Sequence, residues 1–222
     1  MWHGGEPQGE AAVLPTMERA LAYAQGSRSA TPRTPIAFLD RDGVINLSVD
    51  GHVSHPDQVR LIPGAASSIA RLRREGMAIC IVTNQSGVGR GWTSETAIHA
   101  IHDRLTELLL EEDCEARLDL TLTCPHTPWH GCGCRKPESG LLRLGAHLIR
   151  TAGWKDALRG RMDLPRTDAT QGTALDVMVG DRQSDLLAGR GHGARSFRAP
   201  RDLGLQPVLN RLLDHKDRGD GV

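Results

Sequence analysis

The chain has 222 residues, enough for one domain with a sizeable core and appendages. Its 27 Lys and Arg balance its 27 Asp and Glu, which leaves no electrostatic footprint for nucleic acid or an anionic membrane surface. No apolar run approaches the roughly 18 residues that cross a bilayer, and Met1 to Glu6 lack the basic and apolar regions of a signal peptide, so the expectation is a cytoplasmic monomer whose five cysteines stay reduced.

Residues 1–35, with Gly, Pro, Ser and Thr around one short helix-compatible piece from Thr16 to Ala24, read as a mobile extension without catalytic signal. Ile36 to Leu39, four apolar residues after Pro35, read as a buried parallel strand that delivers Asp40 and Asp42 at its C-terminal end. Open α/β sheets bind ligands at that edge, although solvated loop aspartates are the plainer alternative. A long loop from Gly43 to Ile62 leads to a helix after Pro63-Gly64, ending at Glu75 with Gly76 as its stop. Met77 to Val82 repeat the buried-strand pattern and end in Thr83-Asn84-Gln85-Ser86-Gly87. The spacing of Ile98, Ile101, Leu105, Leu108 and Leu109 predicts a helix over about Ser94 to Asp113, and Leu118 to Thr123 predict a third strand.

A cysteine-rich loop follows, then Arg135-Lys136-Pro137, a helix from Leu141 to Ala152 and a polar insertion loop over 155–173. The strand from Asp176 to Val179 ends in Gly180-Asp181-Arg182-Gln183-Ser184-Asp185. A helix to Gly191, a strand from Ala194 to Phe197 and a tail from residue 201 with one amphipathic piece, Val208 to Leu213, complete the chain. The alternation predicts an α/β domain over residues 36–200: a doubly wound parallel sheet without a large cap domain.

Cys124-Pro125-His126 and Cys132-Gly133-Cys134 are two pairs at i, i+2 separated by a short loop rich in Pro and Gly. Such pairs can fold round one tetrahedral Zn²⁺ as Cys₃His, a closed structural site. His130 lies between the pairs, off their spacing. Because Cys134 directly precedes Arg135 and Lys136, the zinc would fix the loop that carries the lysine. Cys80 and Cys114 read as ordinary thiols.

In their order, Asp40-Arg41-Asp42-Gly43-Val44, Thr83 to Gly87, Arg135-Lys136-Pro137 and Gly180 to Asp185 resemble the motifs of the haloacid dehalogenase (HAD)-like phosphohydrolases, over about Ile36 to Phe197. The resemblance implies that Asp40 is the nucleophile forming an aspartyl phosphate, and that Asp42 is the general acid and then the base. It implies Mg²⁺ on the Asp40 carboxylate, the Asp42 backbone carbonyl and Asp181, with Asp185 supporting that shell or capping a helix. Thr83 and Asn84 would hydrogen-bond the phosphoryl group, and Lys136 would supply fixed positive charge. The chemistry needs these types: a carboxylate attacking a dianion requires its charge offset.

Arg135, Arg182 and Arg90 can grip hydroxyls or a second phosphate bidentately, with a solvated surface charge an equal alternative for Arg90. The zinc loop and the run Asn84 to Gly91 look like the heptose-bisphosphate and histidinol-phosphate phosphatase group. On that resemblance Gly51, His52, Gln85 and Ser86 join the substrate-binding set, and a small phosphorylated sugar is the expected substrate, with histidinol phosphate the alternative. A receiver-like phospho-switch would share Asp40, Thr83 and Lys136, but a long-lived acyl phosphate gains nothing from Asp42.

Overall fold

The computed structural model describes residues 19–24, 31–151, 159–164 and 172–221. Its strands are β1 (Arg19–Ala24), β2 (Ile36–Leu39), β3 (Ala78–Asn84), β4 (Leu120–Cys124), β5 (Arg159–Asp163), β6 (Val177–Gly180) and β7 (Arg195–Arg198). Its α-helices are α1 (Ala65–Arg74), α2 (Ser86–Gly89), α3 (Glu95–Glu112), α4 (Gly140–Thr151), α5 (Gln183–His192) and α6 (Leu209–Leu213). The strands form one sheet in the order β5-β1-β4-β3-β2-β6-β7, and the run from β4 to β7 in that order is parallel.

Both faces of the sheet are covered, which is why its central strands are continuous apolar runs. Ala37, Leu39, Ile79 and Ile81 point into one core with residues of α1 and α3. Ile36, Phe38, Cys80 and Val82 point into the other, filled by α4. Each fully buried Leu, Ile or Phe there contributes about 1.5–3 kcal/mol relative to exposure. The second core is tight at Gly145, where a Cβ would lie 2.9 Å from the Cys80 Sγ and 3.0 Å from Phe38, so α4 approaches the sheet as closely as only glycine permits.

From β2 the chain steps through β3 to β4 on one side, then crosses to β6 and β7 on the other. The crevice at such a reversal, outside the carboxyl ends of the strands, is where doubly wound sheets bind ligands. Asp40 follows β2 and Asp181 follows β6, so both stand at this crevice.

Two stretches depart from the sequence expectation. Arg19–Ala24, read as helix-compatible within a mobile extension, is a strand paired antiparallel with both β4 and β5. Ala20, Leu21, Ala22 and Tyr23 are buried, and pairing on both edges overrides the weak helical preference of Ala and Leu. Arg159–Asp163, inside the expected insertion loop, is the edge strand β5. The sheet is therefore mixed at this edge rather than wholly parallel. Residues 1–18 and 25–30 of the expected extension and 155–158 and 165–171 of the expected insertion lie outside the described residues, as do 152–154, which include Ala152, the expected end of the helix begun at Leu141. The C-terminal tail packs on the core: Leu205, Val208 and Leu212 are buried, and the Arg195 guanidinium donates to the carbonyls of Leu212, Asp214 and Asp217. Among the described residues no helix is long and apolar enough to cross a membrane.

Candidate active site

Asp40 is held at the end of β2 by its backbone amide, which donates to the Val179 carbonyl at 2.9 Å. Its carboxylate lies 2.9 Å from the Lys136 ammonium, which also contacts Asp185 at 2.6 Å and donates to the Val82 carbonyl at 2.8 Å. Three partners for three N–H bonds leave this lysine fully used, and all three side chains are buried. Burial pushes the Asp40 carboxyl up to about 6, against the pull of Lys136 and with the help of the Asp185 charge. Burial also works against the Lys136 charge, but Asp185 and Asp40 outweigh it and keep the ammonium protonated.

Asp42 faces a different environment. The buried Arg41 guanidinium donates to it three times, at 2.9–3.2 Å, Asn46 at 2.9 Å and Gln85 at 2.8 Å. Burial opposes its charge, yet Arg41 and these hydrogen bonds hold the carboxyl below its ordinary value. The two aspartates are thus pushed in opposite directions: Asp42 is held firmly as a carboxylate, while Asp40, ionised near neutrality beside Lys136, takes up a proton more readily than an ordinary carboxylate. Sequence reasoning missed Arg41 and Asn46. Arg41 sits between the two aspartates and is fully buried, with its other nitrogen 3.4 Å from His102 on α3.

Carboxylate oxygens of Asp40, Asp181 and Asp185 lie within 4.8 Å of one another. One Asp181 oxygen is buried without a hydrogen-bond partner, and burial, ahead of the opposing pull of Arg182, raises its carboxyl above the ordinary value. Oxygen donors crowded in this way fit a hard divalent cation. Asp185 has less to offer: one oxygen meets Lys136 and the other accepts the Arg182 backbone amide at 3.0 Å, closing the N-terminus of α5. Gly43, at φ +83°, leaves room for Asp181, since a Cβ would stand 3.0 Å from its Oδ2.

Among the described residues a cavity of about 570 Å³ lies against Asp181, Arg182 and the stretch from Arg198 to Arg201, and two smaller ones open beside Asp40, Asp42 and Lys136. The inner, of about 200 Å³, is lined by Asp40, Asp42, Thr83, Lys136, Ser184 and Asp185, with Asn84, Arg135 and Arg182 at its rim. The outer, of about 290 Å³, shares Asp42, Asn84, Arg135 and Arg182 and adds Gly51, His52, Gln85, Ser86 and Arg90. Ser48, Trp92 and Arg201 also line it, and none of the three was legible as a site residue. The Asn84 side chain is spent on a clamp, donating to the Lys136 carbonyl at 3.0 Å and accepting the Lys136 amide at 3.1 Å. Thr83, expected to meet the phosphoryl group, accepts a hydrogen bond from Gln85 at 2.9 Å.

Behind this clamp stand Cys124, His126, Cys132 and Cys134. Their sulfur and Nδ1 atoms are separated by 3.2–3.6 Å in the five closest pairs, too far for a disulfide at about 2.05 Å and near the edge of a ZnS₃N tetrahedron built on bonds of about 2.0–2.3 Å. The Cys124 thiol beside it, and burial, push the Cys132 thiol up to about 12, so a cation at the centre would be needed to hold Cys132 as a thiolate. His130 is turned away, hydrogen-bonded to Thr127. The loop is fastened to the motif after β3: the amides of Gln85 and Gly89 donate to Cys124 and Pro125 at 2.8 and 2.9 Å, and Arg135 donates to His126 at 3.1 Å.

No protein-family model matches the chain. A D-glycero-beta-D-manno-heptose-1,7-bisphosphate 7-phosphatase of Pseudomonas aeruginosa is 43% identical over 113 residues, which span 50% of this chain and 62% of that protein. The D-glycero-D-manno-heptose-1,7-bisphosphate 7-phosphatase of Thermosynechococcus vestitus is 34% identical over 188 residues, 85% of this chain and 89% of the relative. Among solved structures, D,D-heptose 1,7-bisphosphate phosphatase from B. bronchiseptica, complexed with magnesium and phosphate, superposes with a TM-score of 0.61 at 30% identity, covering 79% of this chain and 86% of that one.

Proposed function

We propose that this chain, which belongs to the D-glycero-D-manno-heptose-1,7-bisphosphate 7-phosphatase family, removes the 7-phosphate of that sugar through an aspartyl phosphate on Asp40. The observation that carries the reading is the buried Lys136 ammonium bridging Asp40 and Asp185 beside an Asp181 oxygen that accepts no hydrogen bond, with the Arg182 guanidinium 3.8 Å from it. Such a site offers one attacking carboxylate and two positive charges, one built in and one recruited, to a dianionic ester.

Asp40, Asp181 and the Asp42 carbonyl would hold Mg²⁺. Bound there, the ion supplies charge neutralisation for the phosphoryl oxygens. Lys136 keeps Asp40 oriented and faces the same oxygens. Asp42 begins as a carboxylate; a dianion arriving beside it opposes its charge and raises its proton affinity, so it takes a proton from solvent as substrate binds and passes it to the departing C7 alkoxide. Returned to the carboxylate, Asp42 accepts a proton from the water that attacks phosphorus and frees Asp40. General acid–base help of this kind is worth about 10²–10⁴ in rate. Arg41, Asn46 and Gln85 fix the Asp42 carboxylate between these two transfers. Arg90, Arg135 and Arg182 line the outer cavity and meet the rest of the sugar, with Gly51, His52 and Ser86 around them.

Cys124, His126, Cys132 and Cys134 would hold structural Zn²⁺, which stiffens the loop that ends at Lys136. Thiolates kept for a metal belong to a reducing compartment, so we place the reaction in the cytoplasm. Phosphate release with Mg²⁺ tests the reading. Heptose 1,7-bisphosphate should turn over far faster than histidinol phosphate, and a preference for histidinol phosphate would overturn the substrate assignment.

A further inference from the structure

The chain carries four Trp, one Tyr and two Phe, yet Trp92 and Trp129 stand 63% and 70% exposed. They are not isolated. The Arg90 guanidinium carbon lies 4.8 Å from the Trp92 ring centre and 4.6 Å from that of Trp129. His52 stacks on Trp92 at 5.6 Å and 22°. These four flat groups come from three loops, those following β2, β3 and β4, and three of them line the outer cavity.

Among the described residues the Arg90 guanidinium makes no hydrogen bond or ion pair. A guanidinium whose face is taken by indole rings keeps its N–H edge, the geometry that receives a phosphate bidentately. An unstacked arginine would lose rotamer freedom when a ligand arrived; stacking removes that freedom beforehand, so the ligand binds a preorganised donor. We propose that Trp92 and Trp129 are positioning residues that hold Arg90 edge-on at the mouth of the outer cavity, and so set the preference for a sugar bearing a second phosphate remote from the scissile one. The proposal rests on the phosphatase reading above. Trp129 lies in the turn Pro128–His130, between the two metal-ligand pairs, so the loop that fixes Lys136 also fixes this selectivity element.

The test is kcat and KM on heptose 1,7-bisphosphate and heptose 7-phosphate for the full chain and for Trp92→Ala, Trp129→Ala and Trp129→Phe. Truncation to Ala should raise KM for the bisphosphate about two- to fivefold, as loss of an exposed arginine–indole contact implies, while kcat changes less than about twofold. The ratio of kcat/KM for bisphosphate over monophosphate should fall by the same factor, and Trp129→Phe should restore most of it. Equal losses on both substrates, a loss confined to kcat, or no change would overturn the proposal. Should the wild-type chain turn over neither substrate, the phosphatase reading fails separately. The clamp is then read from quenching of tryptophan emission when heptose 1,7-bisphosphate is added to Asp40→Asn protein. Quenching abolished by Arg90→Ala supports the clamp; no quenching, or quenching unchanged by Arg90→Ala, overturns it.

Discussion

Replacing Lys136 by Met keeps the length and burial of the side chain and removes its charge. In the folded protein this strands Asp40 and Asp185, whose carboxylates stand 2.9 and 2.6 Å from the ammonium and are both buried. It also orphans the Val82 carbonyl, which accepts from the lysine at 2.8 Å. Removing one partner of a buried ion pair costs about 3–5 kcal/mol, because the opposite charge remains desolvated. Against a total stability of about 5–15 kcal/mol, the variant should lose about a fifth or more of its margin, and its Tm should fall by about 6–20 °C at 2–4 °C per kcal/mol. Urea unfolding at neutral pH with matched m-values gives the number directly. The decisive arm is the double variant Lys136→Met with Asp185→Asn. Neutralising one stranded carboxylate should recover at least about 1 kcal/mol, a coupling expected only of residues in one network. A single-variant loss below about 1 kcal/mol, or strictly additive effects, would refute the view that this triad is a closed, buried charge network.

Cys132→Ser should abolish stoichiometric zinc in freshly purified protein and lower Tm before turnover is measured; zinc-free wild-type protein with an undiminished Tm would remove the metal from the account. Asp176 supplies a pH test. Burial opposes its charge, but the facing His192 ring, Arg150 and the Thr173 amide hold its carboxyl below the ordinary value. A depressed pKa gives stability that is complete above the unfolded value of about 3.9 and is lost as pH falls through the folded one. Asp176→Asn should therefore be less stable than wild type by about 1–3 kcal/mol near neutrality, with the gap closing below about pH 4; a gap that stays constant on acidification would contradict the assignment.

The strands that deliver chemistry were readable because each is apolar on both faces and stops at a polar turn: Ile36–Leu39 before Asp40, Ala78–Asn84 around Thr83, Val177–Gly180 before Asp181. β1 was not readable. Its Ala20, Leu21 and Ala22 carry no strand preference, and only pairing with β4 and β5 makes them extended. β5 was hidden by polarity, since Arg159–Asp163 occupies the edge of the sheet among the described residues. At the site, the motifs announced which residues gather but not how they spend their hydrogen bonds. Asn84 reads as a phosphate donor, and its side chain also clamps the backbone of Lys136. Arg41 reads as a spacer between two aspartates and is instead the buried cation that fixes the charge of Asp42. A fully buried arginine beside a carboxylate leaves no periodic trace in sequence. Trp92, Ser48 and Arg201 reach the outer cavity from loops whose paths depend on long-range contacts, such as Asp202 accepting the Ser48 amide and hydroxyl at 2.8 Å.

The central claim is that Asp40, not Asp42, becomes phosphorylated. Borohydride reduces an aspartyl phosphate to homoserine, so quenching a turning-over sample with it and sequencing the peptide around β2 by mass spectrometry reports the residue that carried the phosphoryl group. The account predicts homoserine at position 40 in a substrate- and Mg²⁺-dependent manner, and none in Asp40→Asn protein. Homoserine at position 42, or undiminished phosphate release from Asp40→Asn, would contradict it.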